Sequence, residues 1–180
     1  MRIYGNRLLK TLPGQQTRPT TGKVRTALFN IWQGKITGCR WLDLCAGNGT
    51  LGAEALCRGA QTVAGIEQSG KVCAILRDNW QKVARPEQQW QVIRGSVLGQ
   101  IPKLPARPFD RIYFDPPYQG QLYESVLTLI AQRKLLAAAG VMAVEYEARC
   151  WQPLSQVGDL ICVREKHYGR SSLAFYAWSI

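Results

Sequence analysis

Residues 40–67 leave this chain few folds. Arg40-Trp41-Leu42-Asp43-Leu44 is a short apolar run of the kind that forms a buried strand. It leads into Cys45-Ala46-Gly47-Asn48-Gly49-Thr50-Leu51-Gly52, where Gly47, Gly49 and Gly52 keep the G-x-G-x-x-G spacing. A helix is expected from there to about Arg58, with Gly59 as its C-terminal stop. A second strand, Thr62-Val63-Ala64-Gly65-Ile66, ends on Glu67. Strand, glycine turn, helix and strand make a βαβ unit, which implies a parallel sheet covered by helices on both faces. The acid lies about 20 residues past the glycines, where such a unit keeps a carboxylate for ribose hydroxyls. Together these features point to a nucleoside-bearing cofactor without choosing one.

Asp43 narrows the choice. A carboxylate just before the loop repels a pyrophosphate and favours a cation. S-adenosylmethionine has an amino group and a sulfonium and no phosphate, so it is preferred over NAD. The third strand, Trp90-Gln91-Val92-Ile93, leads to Arg94-Gly95-Ser96-Val97, a turn that faces the adenine in a doubly wound sheet.

The second constraint is Phe114-Asp115-Pro116-Pro117-Tyr118, which follows the alternating run Phe109-Asp110-Arg111-Ile112-Tyr113-Phe114. Asp115 then sits at a strand's C-terminal end, where α/β sheets place ligands. The two prolines have no N–H, so this turn offers acceptors only, held at fixed φ. Rigid acceptors beside an aromatic ring suit a planar group bearing an amine, which donates to Asp115 and the Pro116 carbonyl while its ring stacks on Tyr118.

The length of 180 residues and 46% hydrophobic content fit one domain, residues 1–180, with a real core. No apolar run reaches about 18 residues, so no membrane span is expected. The start, Met1-Arg2-Ile3-Tyr4-Gly5, has no apolar leader segment, so a cytoplasmic location is expected. Cys39, Cys45, Cys57, Cys73, Cys150 and Cys162 form no CxxC pair, and the lone His167 has no cysteine nearby, so no metal site is expected. The net charge is +11. Arg2, Arg7, Lys10, Arg18, Lys23, Arg25, Lys35 and Arg40 fall in residues 1–40, which hold no acid. A segment of one sign fits a polyanion. Residues 1–35 therefore form a basic extension expected to contact a polyanion: a hairpin turning at Gly5-Asn6, then a helix with Val24, Leu28 and Ile31 on one face. Thr20 or Thr21 can cap that helix. Arg18, Lys23 and Arg25 near its start oppose the helix dipole, a conflict that a phosphate would relieve.

Further on, Ser69 is expected to cap a helix with Val72, Ile75, Leu76 and Val83 inward and Pro86 beyond its end. Residues 99–108 read as a proline-rich loop, 121–134 as a helix, and Gly140–Tyr146 as the fifth strand. Leu160–Lys166 and Ser172–Trp178 read as a closing antiparallel pair.

At this point a resemblance is visible. Asp43-Leu44-Cys45-Ala46-Gly47-Asn48-Gly49 resembles the cofactor motif of class I S-adenosylmethionine methyltransferases. Asp115-Pro116-Pro117-Tyr118 resembles the (D/N)PP(Y/F) motif of enzymes that methylate exocyclic amines. Nearly the whole chain is similar to the bacterial small-subunit ribosomal RNA guanine-N2 methyltransferases. The most specific stretches are Arg18-Pro19-Thr20…Val24-Arg25…Ala27-Leu28-Phe29-Asn30 and Leu51-Gly52…Glu54-Ala55-Leu56…Arg58-Gly59-Ala60. Thr26 stands where that family usually carries an acid, and Ser96 where it often does. The resemblance implies a Rossmann-like α/β fold: a seven-stranded, mostly parallel sheet with helices on both faces, the last strand antiparallel. It implies that Ala46, Gly47, Asn48 and Gly49 admit the methionine part of S-adenosylmethionine, with Asp43 near its amino end. Glu67 and Gln68 would hold the ribose, and Ser96 and Val97 the adenine. Asp115, Pro116, Pro117 and Tyr118 would be the catalytic set. Arg18, Thr20, Lys23, Arg25 and Asn30, in the basic extension of residues 1–35, would meet the RNA, which is naked or in an assembling small subunit. No sequence feature fixes the oligomeric state, and a monomer is the default expectation.

Three other functions compete. Adenine-N6 or protein-glutamine methylation would present an amine to the same motif. An NAD-dependent oxidoreductase would account for the glycines and Glu67 but not for Asp115–Tyr118. A non-catalytic RNA-binding protein would not need both motifs intact.

Overall fold

The computed structural model describes residues 1–11, 22–117 and 122–179. Strands β1 (Arg2–Ile3) and β2 (Arg7–Leu8) pair antiparallel into the expected basic ribbon. Its turn uses positive φ at Gly5 and Asn6, the two residues best suited to it. Buried Ile3 and Leu9 anchor the ribbon to the body. Helix α1 (Gly22–Ile31) buries Val24, Leu28 and Phe29, and Phe29 stacks on Trp41 at 5.5 Å. The positions Thr20 and Thr21, expected as caps, lie outside the described residues.

Then the βαβ alternation runs as the sequence implies: β3 (Arg40–Leu44), α2 (Thr50–Cys57), β4 (Thr62–Glu67), α3 (Gly70–Val83), β5 (Gln89–Arg94) and α4 (Val97–Gln100). It continues with β6 (Phe109–Phe114), α5 (Leu122–Gln132) and β7 (Leu136–Glu147). Strands β8 (Gln156–Val157), β9 (Leu160–Tyr168) and β10 (Ser171–Trp178) close the chain. The sheet order is β5-β4-β3-β6-β7-β10-β9-β8. Pairings from β5 to β7 are parallel, and β10 runs antiparallel to both neighbours. Apolar residues on both faces of the parallel strands explain this layering. On β3, Trp41 joins the core beneath α1, α2 and α3, while Leu42 and Leu44 join the opposite core with α4 and α5.

Three expectations need adjustment. The sheet has eight strands, not seven, because Gln156–Val157 turns through Gly158 (φ 57°) to pair with β9. Two residues carry no period to read. The stretch 99–108 is partly helical: Ser96 caps α4, and a 3₁₀ turn covers Ile101–Lys103. Ile101 and Leu104 are buried and draw it onto the sheet, and Pro102 is tolerated in a first turn. Strand β7 begins at Leu136, opposite Phe109, four residues before the expected Gly140. Ala137-Ala138-Ala139 has little strand preference, so the pairing comes from the neighbouring strand.

Candidate active site

The register of the sheet builds the site. Leu44 pairs with Ile66 on one side and with Phe114 on the other. Cys45, Glu67 and Asp115 therefore leave three adjacent strands at one level. The connections from β3 run outward to β4 and β5, whereas β6 leads the other way to β7. The chain thus reverses direction between β3 and β6, and ligands of open α/β sheets bind at such a point.

In the loop, Cys45, Gly47 and Gly49 have φ of 62°, 55° and 77°. A side chain at Gly47 would meet nothing within 4 Å, so this glycine presents bare backbone to open space. Its N–H donates to Glu67 Oε2 at 3.0 Å, and the Ser69 N–H donates to Oε1 at 2.7 Å. Two backbone donors thus fix the Glu67 carboxylate while each oxygen keeps a lone pair for a further donor. The other two glycines serve packing. A Cβ at Gly49 would lie 2.6 Å from Trp80 Nε1, and one at Gly52 would lie 2.3 Å from Trp80 Cζ2. Gly65 completes the slot for the buried indole, at 2.6 Å from Cη2. The glycine spacing, read as a cofactor loop, is in part a socket for Trp80, and Gly47 alone of the three faces open space.

Asp43 lies deeper than its expected role beside the cofactor's amino end. It is buried and accepts from Gly52 N–H at 3.2 Å. Burial pushes its carboxyl up to about 8, and the Glu67 charge adds to this. The sign follows from linkage. Between about pH 4 and pH 8 an unfolded chain ionises at this aspartate while the folded chain holds its proton, so stability falls as pH rises and levels off above 8. Asp43→Asn should flatten that slope. In denaturant titrations its gain over the parent should be larger at pH 8 than at pH 5, and equal gains would show that Asp43 does not titrate in this range.

The Cys45 thiol marks where the acids converge. Burial pushes it up to about 12, and the charges of Asp115, Glu67 and Asp43 act in the same direction. Next to Asp115, Pro116 is buried and Pro117 exposed, while Tyr118 lies outside the described residues. At the turn expected to face the adenine, Ser96 Oγ accepts from Gly99 N–H to cap α4 and Val97 is buried in the core, while Gln68 is exposed. Gly95 N–H donates to the Glu67 carbonyl at 3.0 Å, which ties this turn to the end of β4.

Of the expected RNA contacts, Arg18 and Thr20 lie outside the described residues. Lys23 and Asn30 are exposed on α1. Arg25 is not a free cation: its Nε lies 2.8 Å from Glu54 Oε2, and Arg58 holds the other oxygen of Glu54 at 2.8 Å. Two arginines share one buried carboxylate, so the cluster keeps a positive charge. Arg58 also lies over the exposed ring of Tyr4 and over Phe29. Asn30 lines a groove with Tyr4, Gln33, Thr37, Arg58 and Arg85 that contains no acid. Glu54 and Arg58 were legible as an i,i+4 pair. The roles of Asn79 and Trp80 left no sequence signal. Among the described residues no group of three or more His, Cys, Asp or Glu could hold a metal ion. No helix among them is long and apolar enough to cross a membrane.

The geometry has relatives. A family model described as Conserved hypothetical protein 95 matches residues 1–177. The Bacillus subtilis protein YlbH is 34% identical over 172 residues, covering 94% of this chain and 92% of that protein. Ribosomal RNA small subunit methyltransferase D of Haemophilus influenzae is 31% identical over 175 residues, covering 97% and 90%. The solved structure of yhhF from Escherichia coli superposes with a TM-score of 0.86 at 28% identity, covering 99% of this chain and 98% of that one.

Proposed function

Since this chain belongs to the Conserved hypothetical protein 95 family, we propose that it transfers a methyl group from S-adenosylmethionine to the exocyclic N2 of a guanine in small-subunit ribosomal RNA. Its cofactor is S-adenosylmethionine. The relative named for small-subunit ribosomal RNA methylation supports the coarser statement, an rRNA methyltransferase. The guanine amine is our own step. The observation that carries it is the level at which Asp115 leaves β6, one strand over from the glycine loop that leaves β3.

The residues present suit the cofactor. Gly47 offers bare backbone beside open space, and Asp115 and Glu67 supply the negative field that a cationic ligand with ribose hydroxyls would meet. Glu67, held by Gly47 and Ser69, is the ribose acceptor. When bound, S-adenosylmethionine supplies an electrophilic methyl on a sulfonium that is already its leaving group. The protein's share is placement and electrostatics. Guanine N2 is a weak nucleophile because its lone pair is delocalised into the ring. The Asp115 carboxylate and the Pro116 carbonyl accept its two N–H bonds, pull them from the ring plane and localise the lone pair. The Asp115 carboxylate or solvent takes the proton after transfer. Correct positioning alone supplies roughly 7–11 kcal/mol of barrier reduction. Tyr118 stacks on the base. A loop guanine is the expected target, since a paired one must first be flipped out.

The RNA lies along α1 and the acid-free groove below it. Arg18→Ala with Lys23→Ala should weaken RNA binding and lower the slope of log affinity against log salt by about 1.4, at about 0.7 per lost phosphate contact. An unchanged slope returns that face to ordinary solvated surface. The whole reading is tested by tritiated methyl transfer to small ribosomal subunits. Label recovered as N2-methylguanine supports it. Label on an adenine or a protein overturns the substrate and leaves the cofactor.

A further inference from the structure

Asn79 is a polar side chain with 1% exposure on the inner face of α3, and nothing in the site so far uses it. Its amide spends its hydrogen bonds on the backbone of two other segments. Oδ1 accepts from Lys10 N–H at 2.8 Å. Nδ2 donates to the Lys10 carbonyl at 3.1 Å and to the Asn48 carbonyl at 2.9 Å. Asn48 in turn donates its own Nδ2 to the Lys10 carbonyl at 3.4 Å and accepts from Thr50 Oγ1 at 2.7 Å. The next residue of α3, Trp80, donates its indole N–H to the Gly49 carbonyl at 2.8 Å. Two consecutive residues of one helix therefore hold two consecutive carbonyls of the glycine loop, and one of them also grips both backbone polar groups at the end of the basic ribbon.

We propose that Asn79 is a positioning residue that fixes the glycine loop for the cofactor and couples the loop to the seating of the N-terminal ribbon. The inference rests on the reading that the Gly47–Gly49 loop holds S-adenosylmethionine. The other described polar contacts between ribbon and α3 run from Arg7 to the Val83 carbonyl, from Lys82 to the Leu8 carbonyl, and between the exposed Lys10 and Asp78 side chains. None of them touches the loop. Among the described residues of α3 only Asn79 bonds both segments, beside the direct and longer bond from Asn48 Nδ2 to the Lys10 carbonyl. If Lys10 shifts, the amide that holds Asn48 loses the partners that orient it, and a buried amide with unmet bonds is costly. Coupling of this kind is reciprocal. A filled cofactor loop holds the ribbon more firmly, and a ribbon clamped by RNA tightens the loop around the cofactor.

The test uses the full-length protein, calorimetric titration with S-adenosylmethionine and amide hydrogen exchange. In the parent protein, saturating S-adenosylmethionine should slow exchange of the Lys10 amide. Asn79→Ala should raise the cofactor Kd roughly tenfold, and its Lys10 amide should no longer respond to cofactor. Asn79→Asp keeps the acceptor for Lys10 N–H. When ionised, though, it sets a negative oxygen against the Lys10 and Asn48 carbonyls, whereas when protonated it donates to one of them. Its affinity, taken as a ratio to the parent, should therefore be poor near about pH 8 and largely recovered near about pH 5.5, a rescue that Asn79→Ala cannot show. The proposal is overturned if both variants bind cofactor like the parent despite a lowered Tm, or if cofactor leaves the parent's Lys10 exchange unchanged. Should Asn79→Ala not fold, the two pH values of Asn79→Asp decide alone. A parent protein that binds no S-adenosylmethionine overturns the cofactor reading and this inference with it. Normal cofactor binding that ignores Asn79 overturns only the inference.

Discussion

Asp115→Ala should reduce methyl transfer to small ribosomal subunits by a factor of about 10²–10³ or more, with cofactor affinity within about twofold of the parent. The magnitude is that of removing one preorganised group aimed at the reacting centre, about 2.7–4 kcal/mol of transition-state stabilisation. The separation follows from position. Asp115 follows the end of β6, outside the glycine loop, and its carboxylate acts as a charge on the Cys45 thiol. Asp115→Asn should retain more activity than Asp115→Ala, because its Oδ1 still accepts from the amine. Glu67→Ala should give the opposite pattern. It removes the carboxylate held by Gly47 and Ser69, so the cofactor Kd rises and the loss in turnover is partly restored by saturating cofactor. The two assays are tritium incorporation and calorimetry, run on the same preparations. An Asp115→Ala enzyme that keeps more than about a tenth of parental turnover would remove the amine-gripping role, whatever its cofactor affinity.

The largest expected effect on stability comes from a substitution that helix propensity alone scores as favourable. Gly52 lies inside α2, where alanine is normally better than glycine by about 1 kcal/mol. Here the new Cβ would lie 2.3 Å from Trp80 Cζ2, 2.8 Å from Cε2 and 3.1 Å from Val63 Cγ1. Trp80 has no free volume to yield into: it is fully buried, edge-on to Trp90 at 6.2 Å, and its N–H is spent on the Gly49 carbonyl. Overpacking of this kind costs about 1–3 kcal/mol or more, and a displaced indole also loses a buried hydrogen bond of about 1 kcal/mol. Net of the propensity gain, Gly52→Ala should destabilise by about 1–3 kcal/mol. At this chain length that lowers Tm by roughly 2–12 °C. Thermal unfolding followed by circular dichroism measures it. A Tm at or above the parent's would mean that the socket relaxes freely and that the glycine at 52 has no steric cause.

The parts of this protein that were legible in its sequence are those whose cause is local. Strands β3, β4 and β6 carry their own apolar runs, Gly59 and Ser69 carry their own caps, and Glu67 stands at the spacing that a βαβ unit dictates. Across the sheet, the convergence of Asp43, Glu67 and Asp115 followed from the rule that ligands gather at strand ends. What was not legible has non-local causes. That Gly52 and Gly65 serve an indole at position 80 depends on how α2 and α3 cross. That Arg25 is tied to Glu54 depends on α1 lying beside α2, so a basic run that reads as a uniform RNA surface includes a residue of the fold's own framework. Leu136–Ala139 becomes strand because the neighbouring β6 begins at that height, not because alanines favour it.

Cys45 gives the last consequence. It is the cysteine that opens the glycine loop, with Asp115, Glu67 and Asp43 all acting on its thiol. Thiol damage proceeds through the thiolate, and burial, with the charges of Asp115 and Glu67 added to it, keeps this sulfur in its unreactive form at any cellular pH. Peroxide and alkylating reagents should therefore spend themselves first on exposed Cys150. Burial and the neighbouring acids thus shield this sulfur, and methyl transfer should persist in oxidising conditions that would silence an enzyme with a bare cysteine at the same place.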